Sequence, residues 1–324
     1  MALIKSIIIL IIGFALLMKG ADYFVEGSSS VAKQLHVPSM IIGMTIVAMG
    51  TSLPECAVSV TASLTGNNSL AVSNVVGSNI FNLMVVCGAC ALFAPLTIKK
   101  DTLKKEFPLS IICAALLMVL GYVGMLLGHL DGGVFLLIFA AYLIWMIGSA
   151  KKARAAHKES QMMREEGELV DEEIQILPLW KCALFIVGGM IAIKFGGDFV
   201  VNGASSIAAG FGLSQTLIGL TIVALGTSLP ELVTSIVAAR KNEVDMAVGN
   251  AIGSNIFNIL MVLGIASAIS PLQLIGENVI DIIVLVVFSV VVWIFGATKK
   301  KISRTEGIAM ICMYLCYSAY IIMR

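Results

Sequence analysis

The chain has 324 residues, of which 59% are hydrophobic and 13% are charged, and its formal net charge is +1. Soluble domains carry roughly 25% charged residues, so this chain lacks the residues that would form a solvated shell. The composition excludes an ordinary cytosolic enzyme, a disordered chain and a nucleic-acid-binding protein. Because the apolar runs are about 20 residues long, it predicts an all-α polytopic membrane protein.

Ten segments are long and apolar enough to cross a membrane as helices. They are 3–33, 38–64, 70–93, 106–128, 131–150, 178–210, 214–239, 246–269, 277–297 and 303–323. A hydrophilic stretch, 151–177, separates the first five spans (residues 1–150) from the last five (residues 178–324). We interpret this stretch as a solvated linker rather than a regulatory segment.

The positive charges predict the orientation of the spans. If each predicted span crosses the membrane once, most of the 21 Lys and Arg residues lie on the side that carries the 151–177 linker. The loops of the other side, near 65–69, 129–131, 211–214 and 270–276, contain no Lys or Arg. By the positive-inside rule, the linker lies in the cytoplasm and both termini lie outside a plasma or inner membrane.

The two halves of the sequence repeat each other with an offset of 176 residues. Residues 42–55 (IGMTIVAMGTSLPE) recur as 218–231 (IGLTIVALGTSLPE), and GSNIFN occurs at both 77–82 and 253–258. Each half holds five predicted spans, an odd number, so the second half enters the membrane from the opposite side. Inverted repeats of this kind are typical of secondary transporters, whose sites lie at the membrane midplane between the repeats.

Two carboxylates, Glu55 and Glu231, lie near the centres of the second and seventh spans. A lone carboxylate at this depth costs about 2.5–3.5 kcal/mol on insertion scales, so it needs a partner, a proton or a cation. Spans two, three, seven and eight contain no Lys or Arg. Two facing carboxylates match the charge of one divalent cation, although Ser52 and Glu55 also have the spacing of a structural capping box.

Oxygen ligands surround both carboxylates in the sequence. Pro54 removes an amide and disfavours helix in the residue before it, which predicts a break in the second span and free carbonyls such as that of Ala48. Ser and Asn lie four residues apart, on one helix face, in the third and eighth spans. The side-chain oxygens are those of Thr51, Ser52, Ser78, Asn82, Thr227, Ser228, Ser254 and Asn258. Hard cations such as Ca²⁺ bind all-oxygen sets of this kind.

The paired motifs resemble the α-repeats of the sodium/calcium exchanger family, within the cation/Ca²⁺ antiporter superfamily. The resemblance implies ten helices with broken helices two and seven, and helices one and six that slide across a core of helices two, three, seven and eight. The short linker indicates a prokaryotic type without a large regulatory domain. The implied metal ligands are Glu55, Glu231, the carbonyls of Ala48 and Ala224, Thr51, Ser52, Thr227, Ser228, Ser78, Ser254, Asn82 and Asn258. Some relatives have Asp where Asn258 stands, so this chain carries −2 rather than −3.

The sequence therefore predicts a secondary active antiporter, not an enzyme, that exchanges Na⁺ for Ca²⁺ by alternating access. Its partners would be these inorganic cations and the lipid bilayer, without a cofactor. H⁺/Ca²⁺ exchange, K⁺-dependent exchange and a passive cation channel stay open as alternatives. A hydrolase is disfavoured because the three His residues lie outside the spans that carry the motifs. Cys87 and Cys90 have CxxC spacing but are interpreted as core residues.

Asp22 and Asp198 form a second pair of acids at the repeat offset. A lysine lies three residues before Asp22 and four before Asp198, so the spacing allows local ion pairs on one helix face. The sequence leaves open whether this pair is structural or lines an ion pathway.

Overall fold

The computed structural model describes residues 2–164, 177–212 and 224–324. In chain order, the longer helices are α1 (Ala2–Leu35), α2 (Ser39–Thr51), α3 (Leu53–Leu64), α4 (Asn68–Phe93), α5 (Lys100–Met125), α6 (His129–Arg164), α7 (Leu179–Gly210), α8 (Leu229–Arg240), α9 (Val244–Ile269), α10 (Gly276–Thr298) and α11 (Arg304–Met323). Within the described residues, eight of these helices are long and apolar enough to cross a membrane alone.

The helices α2 and α3 are together long and apolar enough for one further candidate span, with a bend of 49° between them. The nine spans agree with nine predicted segments, apart from shifts at their ends. Of the remaining predicted span, the seventh (214–239), the structure describes the short helix Ala224–Gly226 and α8. Residues 213–223 lie outside the described residues, so the count of ten stays a prediction.

The helix α6 is longer than its predicted span, 131–150. It continues to Arg164 and so includes the first part of the hydrophilic stretch that was predicted to be a linker. The added segment is rich in Ala, Lys and Arg, which are strong helix formers. The helix therefore extends beyond the apolar run, and His157 on this extension stacks against His36 with ring centroids 4.4 Å apart.

The helices α4 and α9 form the centre of the molecule. In each, 78% of the most apolar 18-residue stretch is buried, against 17–39% in the other single-helix spans. They run antiparallel, because the Asn68 side chain at the start of α4 donates to the carbonyl of Pro271 just after α9. At the other end, Lys99 just after α4 pairs with Asp245 in the first turn of α9.

Four short strands modify the all-α prediction, which contains none. They are β1 (Leu96–Thr97), β2 (Leu126–Leu127), β3 (Leu272–Gln273) and β4 (Lys301–Ile302). The strand β1 pairs antiparallel with β4, and β2 pairs with β3. Each pair joins loops from the two halves of the chain, so it satisfies backbone groups that the helices leave free. Two-residue strands give no sequence period from which they could be predicted.

The loops collect at two opposite ends of the helix bundle. At one end, Lys33 and Ser39 contact Glu243, and β1 pairs with β4. At the other end, Asn68 contacts Pro271 and β2 pairs with β3. The first group belongs to the lysine-rich side predicted from the sequence, and the second group belongs to the side predicted to lack Lys and Arg.

Glycine residues bring α1 and α7 into close antiparallel contact. A Cβ on Gly20 would lie 2.9 Å from the carbonyl oxygen of Gly189, and a Cβ on Gly189 would lie 2.7 Å from the carbonyl oxygen of Gly20. Small residues of this kind let membrane helices pack backbone to backbone. This glycine seam recurs every seven residues and consists of Gly13, Gly20, Gly27, Gly189, Gly196 and Gly203.

Candidate cation site

The first element of the candidate site is the break between α2 and α3. At Ser52 the backbone leaves the helix (φ −84°, ψ 8°), and Pro54 follows in the first turn of α3. The amide of Ser52 still donates to the carbonyl of Ala48, at 3.1 Å, and the amide of Cys56 donates to the carbonyl of Ser52. The expectation that the Ala48 carbonyl is free was therefore wrong. The hydrogen bond to the residue four positions earlier persists at Ser52, and the hydroxyl of Thr51 also lies 3.4 Å from the Ala48 carbonyl.

The second half shows the same break in the residues that are described. Ala224 begins the short helix Ala224–Gly226, and α8 starts at Leu229 with Pro230 in its first turn. At Ser228 the backbone has φ −91° and ψ 4°, close to the values at Ser52. The two breaks therefore have the same local geometry, as their common GTSLPE sequence predicts.

The two carboxylates are fully buried, and each is bound by the other half of the chain. Glu55 and Glu231 both have 0% of their surface exposed. The hydroxyl of Ser228 donates to Oε1 of Glu55 at 3.1 Å. The hydroxyl of Ser52 donates to Oε1 of Glu231 at 2.8 Å. The breaks therefore meet in the interior, and each presents a hydroxyl group to the carboxylate of its counterpart.

Other predicted hydroxyl groups join this cluster. Ser78 on α4 lies 3.4 Å from Oε1 of Glu55 and 3.0 Å from the hydroxyl of Ser228. The hydroxyl of Thr51 instead contacts Oδ1 of Asn250, at 3.1 Å, and the hydroxyl of Thr227 has no hydrogen-bond partner among the described residues. Five of the predicted hydroxyl and carboxylate residues are therefore held by hydrogen bonds to one another, although they come from three separate segments, the two breaks and α4.

Several buried oxygens of the predicted ligand residues have no hydrogen-bond partner among the described residues. They are Oε2 of Glu55 and of Glu231, Oδ1 of Asn82 and of Asn258, and Oγ of Ser254. All five residues are buried. A buried polar group without a partner costs about 1–3 kcal/mol, and more if it is charged. Such acceptors are the kind of ligand that a desolvated cation binds, and no Lys or Arg pairs with either carboxylate in the described residues.

Two asparagines support the site and were not predicted from the sequence. Asn74 donates to the hydroxyl of Ser59 at 2.9 Å and to the backbone carbonyl of Glu55 at 3.3 Å. Asn250 makes the same two contacts, with Ser235 and with the carbonyl of Glu231, at 2.9 Å and 3.4 Å. They fix the helical turn that carries each carboxylate. The sequence feature that could have identified them is that both repeats have asparagine at this position.

The second acidic pair lies apart from this buried cluster, in exposed ion pairs. Lys194 pairs with Asp198 at 2.8 Å, which is the local contact that the sequence spacing allows in α7. Asp22 instead pairs with Lys241, at 3.6 Å, and Glu26 lies 3.8 Å from the same ammonium group. The lysine that binds Asp22 thus comes from the α8–α9 loop rather than from its own helix.

The buried helices and the apolar spans define a multi-pass membrane protein whose interior suits a cation transporter. The family model described as "Sodium/calcium exchanger protein" matches residues 5–148 and 181–323. The chain therefore belongs to the sodium/calcium exchanger family. The members of this family are transporters rather than enzymes, and their substrates are Na⁺ and Ca²⁺.

Relatives match along most of their length. CaxA of Alkalimonas amylolytica is 42% identical over 83% of this chain and 82% of its own. The inner membrane protein YrbG of Escherichia coli is 36% identical over 88% of each chain. The sodium/calcium exchanger MaX1 of Methanosarcina acetivorans is 32% identical over 96% of this chain and 97% of its own.

The fold matches solved structures of the sodium-calcium exchanger NCX_Mj. One of these, soaked with Na⁺ and Sr²⁺, has a TM-score of 0.83 and 30% sequence identity and covers 98% of this chain and 99% of its own. The all-helical polytopic fold predicted from the sequence is thereby confirmed, apart from its count of spans and its repeat orientation.

Proposed function

We propose that this protein exchanges Na⁺ for Ca²⁺ by alternating access at a site centred on Glu55 and Glu231. The proposed ligands are the twelve residues that the resemblance implies, with Ala48 and Ala224 contributing backbone carbonyls. Family membership and the similarity to NCX_Mj and MaX1 support the choice of ions. The site belongs to the interface of the two halves and requires no covalent chemistry.

One observation carries this proposal. Each of the two fully buried carboxylates has one oxygen bound by a serine of the opposite half and a second oxygen without a partner among the described residues. In a low-dielectric interior, two unneutralised charges are costly. One Ca²⁺, or Na⁺ ions competing for the same oxygens, would remove that cost.

The same charge explains exchange rather than leak. An empty site carries two negative charges, and moving them past an apolar barrier to the other side is unfavourable. The site therefore changes its exposure when cations neutralise it. The site changes its exposure in one direction with Ca²⁺ bound and in the other direction with Na⁺ bound. The movements of the two ions are thereby coupled, so a Na⁺ gradient drives Ca²⁺ transport.

The proposed architecture has ten spans in two inverted repeats, with the 151–177 linker in the cytoplasm of the cell. The antiparallel course of α4 and α9 and the grouping of loops at two ends support it. In this arrangement α1 and α7, joined by the glycine seam, would slide across the core formed by the broken spans, α4 and α9.

The test is Ca²⁺ uptake into proteoliposomes with the Na⁺, K⁺ and H⁺ gradients varied separately. We expect an outward Na⁺ gradient to drive uptake, and the E55Q and E231Q variants each to lose more than about 90% of it. Each substitution replaces one of the two carboxylates with a neutral amide and so removes half of the site's charge. A 90% loss of uptake is a tenfold change, which corresponds to about 1.4 kcal/mol. The matched control is E277Q, which changes an exposed glutamate in the first turn of α10.

Other results would overturn this proposal in defined ways. Uptake driven equally by a pH gradient would identify H⁺/Ca²⁺ exchange, and a strict need for K⁺ would identify K⁺-dependent exchange. Unitary currents without a counter-ion would identify a channel. Near-normal uptake by E55Q or E231Q would contradict the assignment of the site.

A further inference from the structure

Two buried asparagines that are not among the candidate ligands join the centres of α4 and α9. Asn79 donates its Nδ2 to the backbone carbonyl of Asn255 at 3.2 Å, and Asn255 donates its Nδ2 to the carbonyl of Asn79 at 3.1 Å. They occupy equivalent positions of the two repeats, and their exposures are 0% and 1%. This reciprocal bridge fixes the orientation of both amides, because a flipped amide would place its oxygen against a carbonyl oxygen.

The fixed amide of Asn79 reaches one of the candidate ligands. Its Oδ1 accepts a hydrogen bond from Nδ2 of Asn258 at 3.1 Å. The amide of Asn258 is thereby oriented with its own Oδ1 directed elsewhere, and that oxygen has no partner among the described residues. Asn79 thus leaves the oxygen of Asn258, rather than its NH₂ group, free to bind a cation.

The equivalent contact in the other repeat is not made. It would join Nδ2 of Asn82 to Oδ1 of Asn255, yet both atoms, and Oδ1 of Asn82, lack a partner among the described residues. The two repeats therefore differ at this point, although their sequences are identical over 77–82 and 253–258. The oriented side chain of Asn258 can therefore be compared with the unoriented side chain of Asn82 within the same protein.

We propose that Asn79 is a positioning residue whose side-chain oxygen requires a hydrogen-bond donor at position 258. This requirement disfavours a third carboxylate there, so the cation site has only the two carboxylates of Glu55 and Glu231. The bridge to Asn255 aims the carbonyl oxygen of Asn79 at residue 258. A carboxylate at 258 would face this oxygen without a proton to donate, which is unfavourable in a buried site. An amide satisfies the contact and still offers a neutral oxygen to the ion. This inference rests on the proposed function and assigns a role to a residue outside its ligand set.

The first experiment compares N79S with N255S by Na⁺-driven Ca²⁺ uptake and by equilibrium ⁴⁵Ca²⁺ binding in detergent. We expect N79S to raise the Ca²⁺ dissociation constant and the KM about tenfold, the effect of losing one orienting hydrogen bond, with a smaller change in maximal rate. The matched control N255S removes one bridging bond but leaves the Asn79–Asn258 contact, so its KM should change less than about threefold. Equal effects of N79S and N255S on KM would overturn the proposal.

The second experiment tests the required donor with N258D and with the double variant N79S/N258D. We expect N258D to bind Ca²⁺ more weakly than the parent protein despite its additional negative charge. The double variant should recover binding at least about fivefold relative to N258D, because the serine hydroxyl can donate to the new carboxylate. If N258D binds Ca²⁺ as tightly as the parent, or the double variant shows no recovery, the proposal fails.

The experiments distinguish a failure of the role proposed for Asn79 from a failure of the proposed Na⁺/Ca²⁺ exchange. If the parent protein shows no Na⁺-driven uptake, the proposed exchange fails, while ⁴⁵Ca²⁺ binding still compares the variants. If uptake is normal in the parent and lost in E55Q, the exchange stands whatever the result for Asn79. Should N79S not fold, as judged by size-exclusion chromatography, the binding of N258D alone decides the question.

Discussion

At the scale of single residues, the hydroxyl of a serine determines how each buried carboxylate is held. Ser52 binds Glu231 and Ser228 binds Glu55, so each acid is oriented by a residue about 175 positions away. A local capping box, in which Ser52 and Glu55 would serve their own helix, is not the contact that these side chains make. The carboxylates are therefore positioned for the candidate site only when the two halves are packed together.

The Ser52 hydroxyl gives a prediction at this scale. In S52A, Oε1 of Glu231 loses a charge-assisted donor, and a hydrogen bond to a charged group contributes about 1.5–3 kcal/mol. We expect the KM for Ca²⁺ in vesicle uptake to rise at least about tenfold, whereas S52T, which keeps the hydroxyl, should change it far less. The control is S63A, because Ser63 on α3 bonds the carbonyl of Ala266. An equal rise in S63A would show that the effect is structural.

At the scale of elements, the breaks place the amino ends of two half-helices at the centre of the protein. α3 and α8 each have 12 residues, and Glu55 and Glu231 lie in their first turns. The amino end of a helix carries a partial positive charge that stabilises a nearby anion. The breaks thus supply hydroxyl groups and also reduce the cost of burying carboxylates before a cation arrives.

The glycine seam between α1 and α7 is the second feature at this scale. Its glycines have no Cβ at the points where the two backbones approach most closely. A side chain there would push the helices apart rather than fill an open space. The seam therefore makes α1 and α7 one paired element, as the proposed sliding motion across the core requires.

Two neighbouring glycines of α7 test the seam. A Cβ on Gly189 would lie 2.8 Å from the backbone nitrogen of Phe24, whereas a Cβ on Gly188 would meet nothing within 4 Å. Because overpacking costs about 1–3 kcal/mol, we expect G189A to lower the thermal unfolding midpoint in detergent and to reduce Ca²⁺ uptake. G188A should leave both unchanged or slightly raise stability. Equal midpoints for the two variants would contradict this role of the seam.

At the scale of the whole molecule, the two halves are tied together at both ends of the bundle. The strand pairs β1–β4 and β2–β3 each join one half to the other. Under the repeat offset, β1 corresponds to β3, and β4 corresponds to β2 with a shift of one residue. An inverted pair of repeats requires such an exchange, because the symmetry that relates the halves also exchanges the two ends.

The orientation of the repeats gives a prediction at this scale. Leu64 and Arg240 are exposed, end α3 and α8, and are equivalent in the repeat. Cysteines introduced there in a functional background without the seven native cysteines should be labelled from opposite sides of the membrane. We expect a membrane-impermeant maleimide to label L64C in intact cells and R240C only in opened cells. Labelling of both from one side would contradict the inverted arrangement.

Much of the fold could be predicted because hydropathy and proline act locally. The span ends agree with the structure where an apolar run ends at charged or turn residues, as at Phe93 and Ile269. The extension of α6 to Arg164 could not be predicted from hydropathy, since a charged helix continues beyond the membrane without an apolar run. The bond from Ser52 to the Ala48 carbonyl was missed because proline rules give the position of a break but not which hydrogen bonds survive.

The sequence alone determined that two carboxylates occupy equivalent positions of repeated motifs, each directly after a proline, and that oxygen-bearing side chains accompany both. Only the tertiary structure decided which hydroxyl binds which carboxylate, that Asn74 and Asn250 support the two turns, and that Asn79 orients Asn258. The physical reason is the range of the interactions. Breaks and apolar runs follow from neighbouring residues, whereas contacts between the halves depend on how α4 and α9 pack against the broken spans.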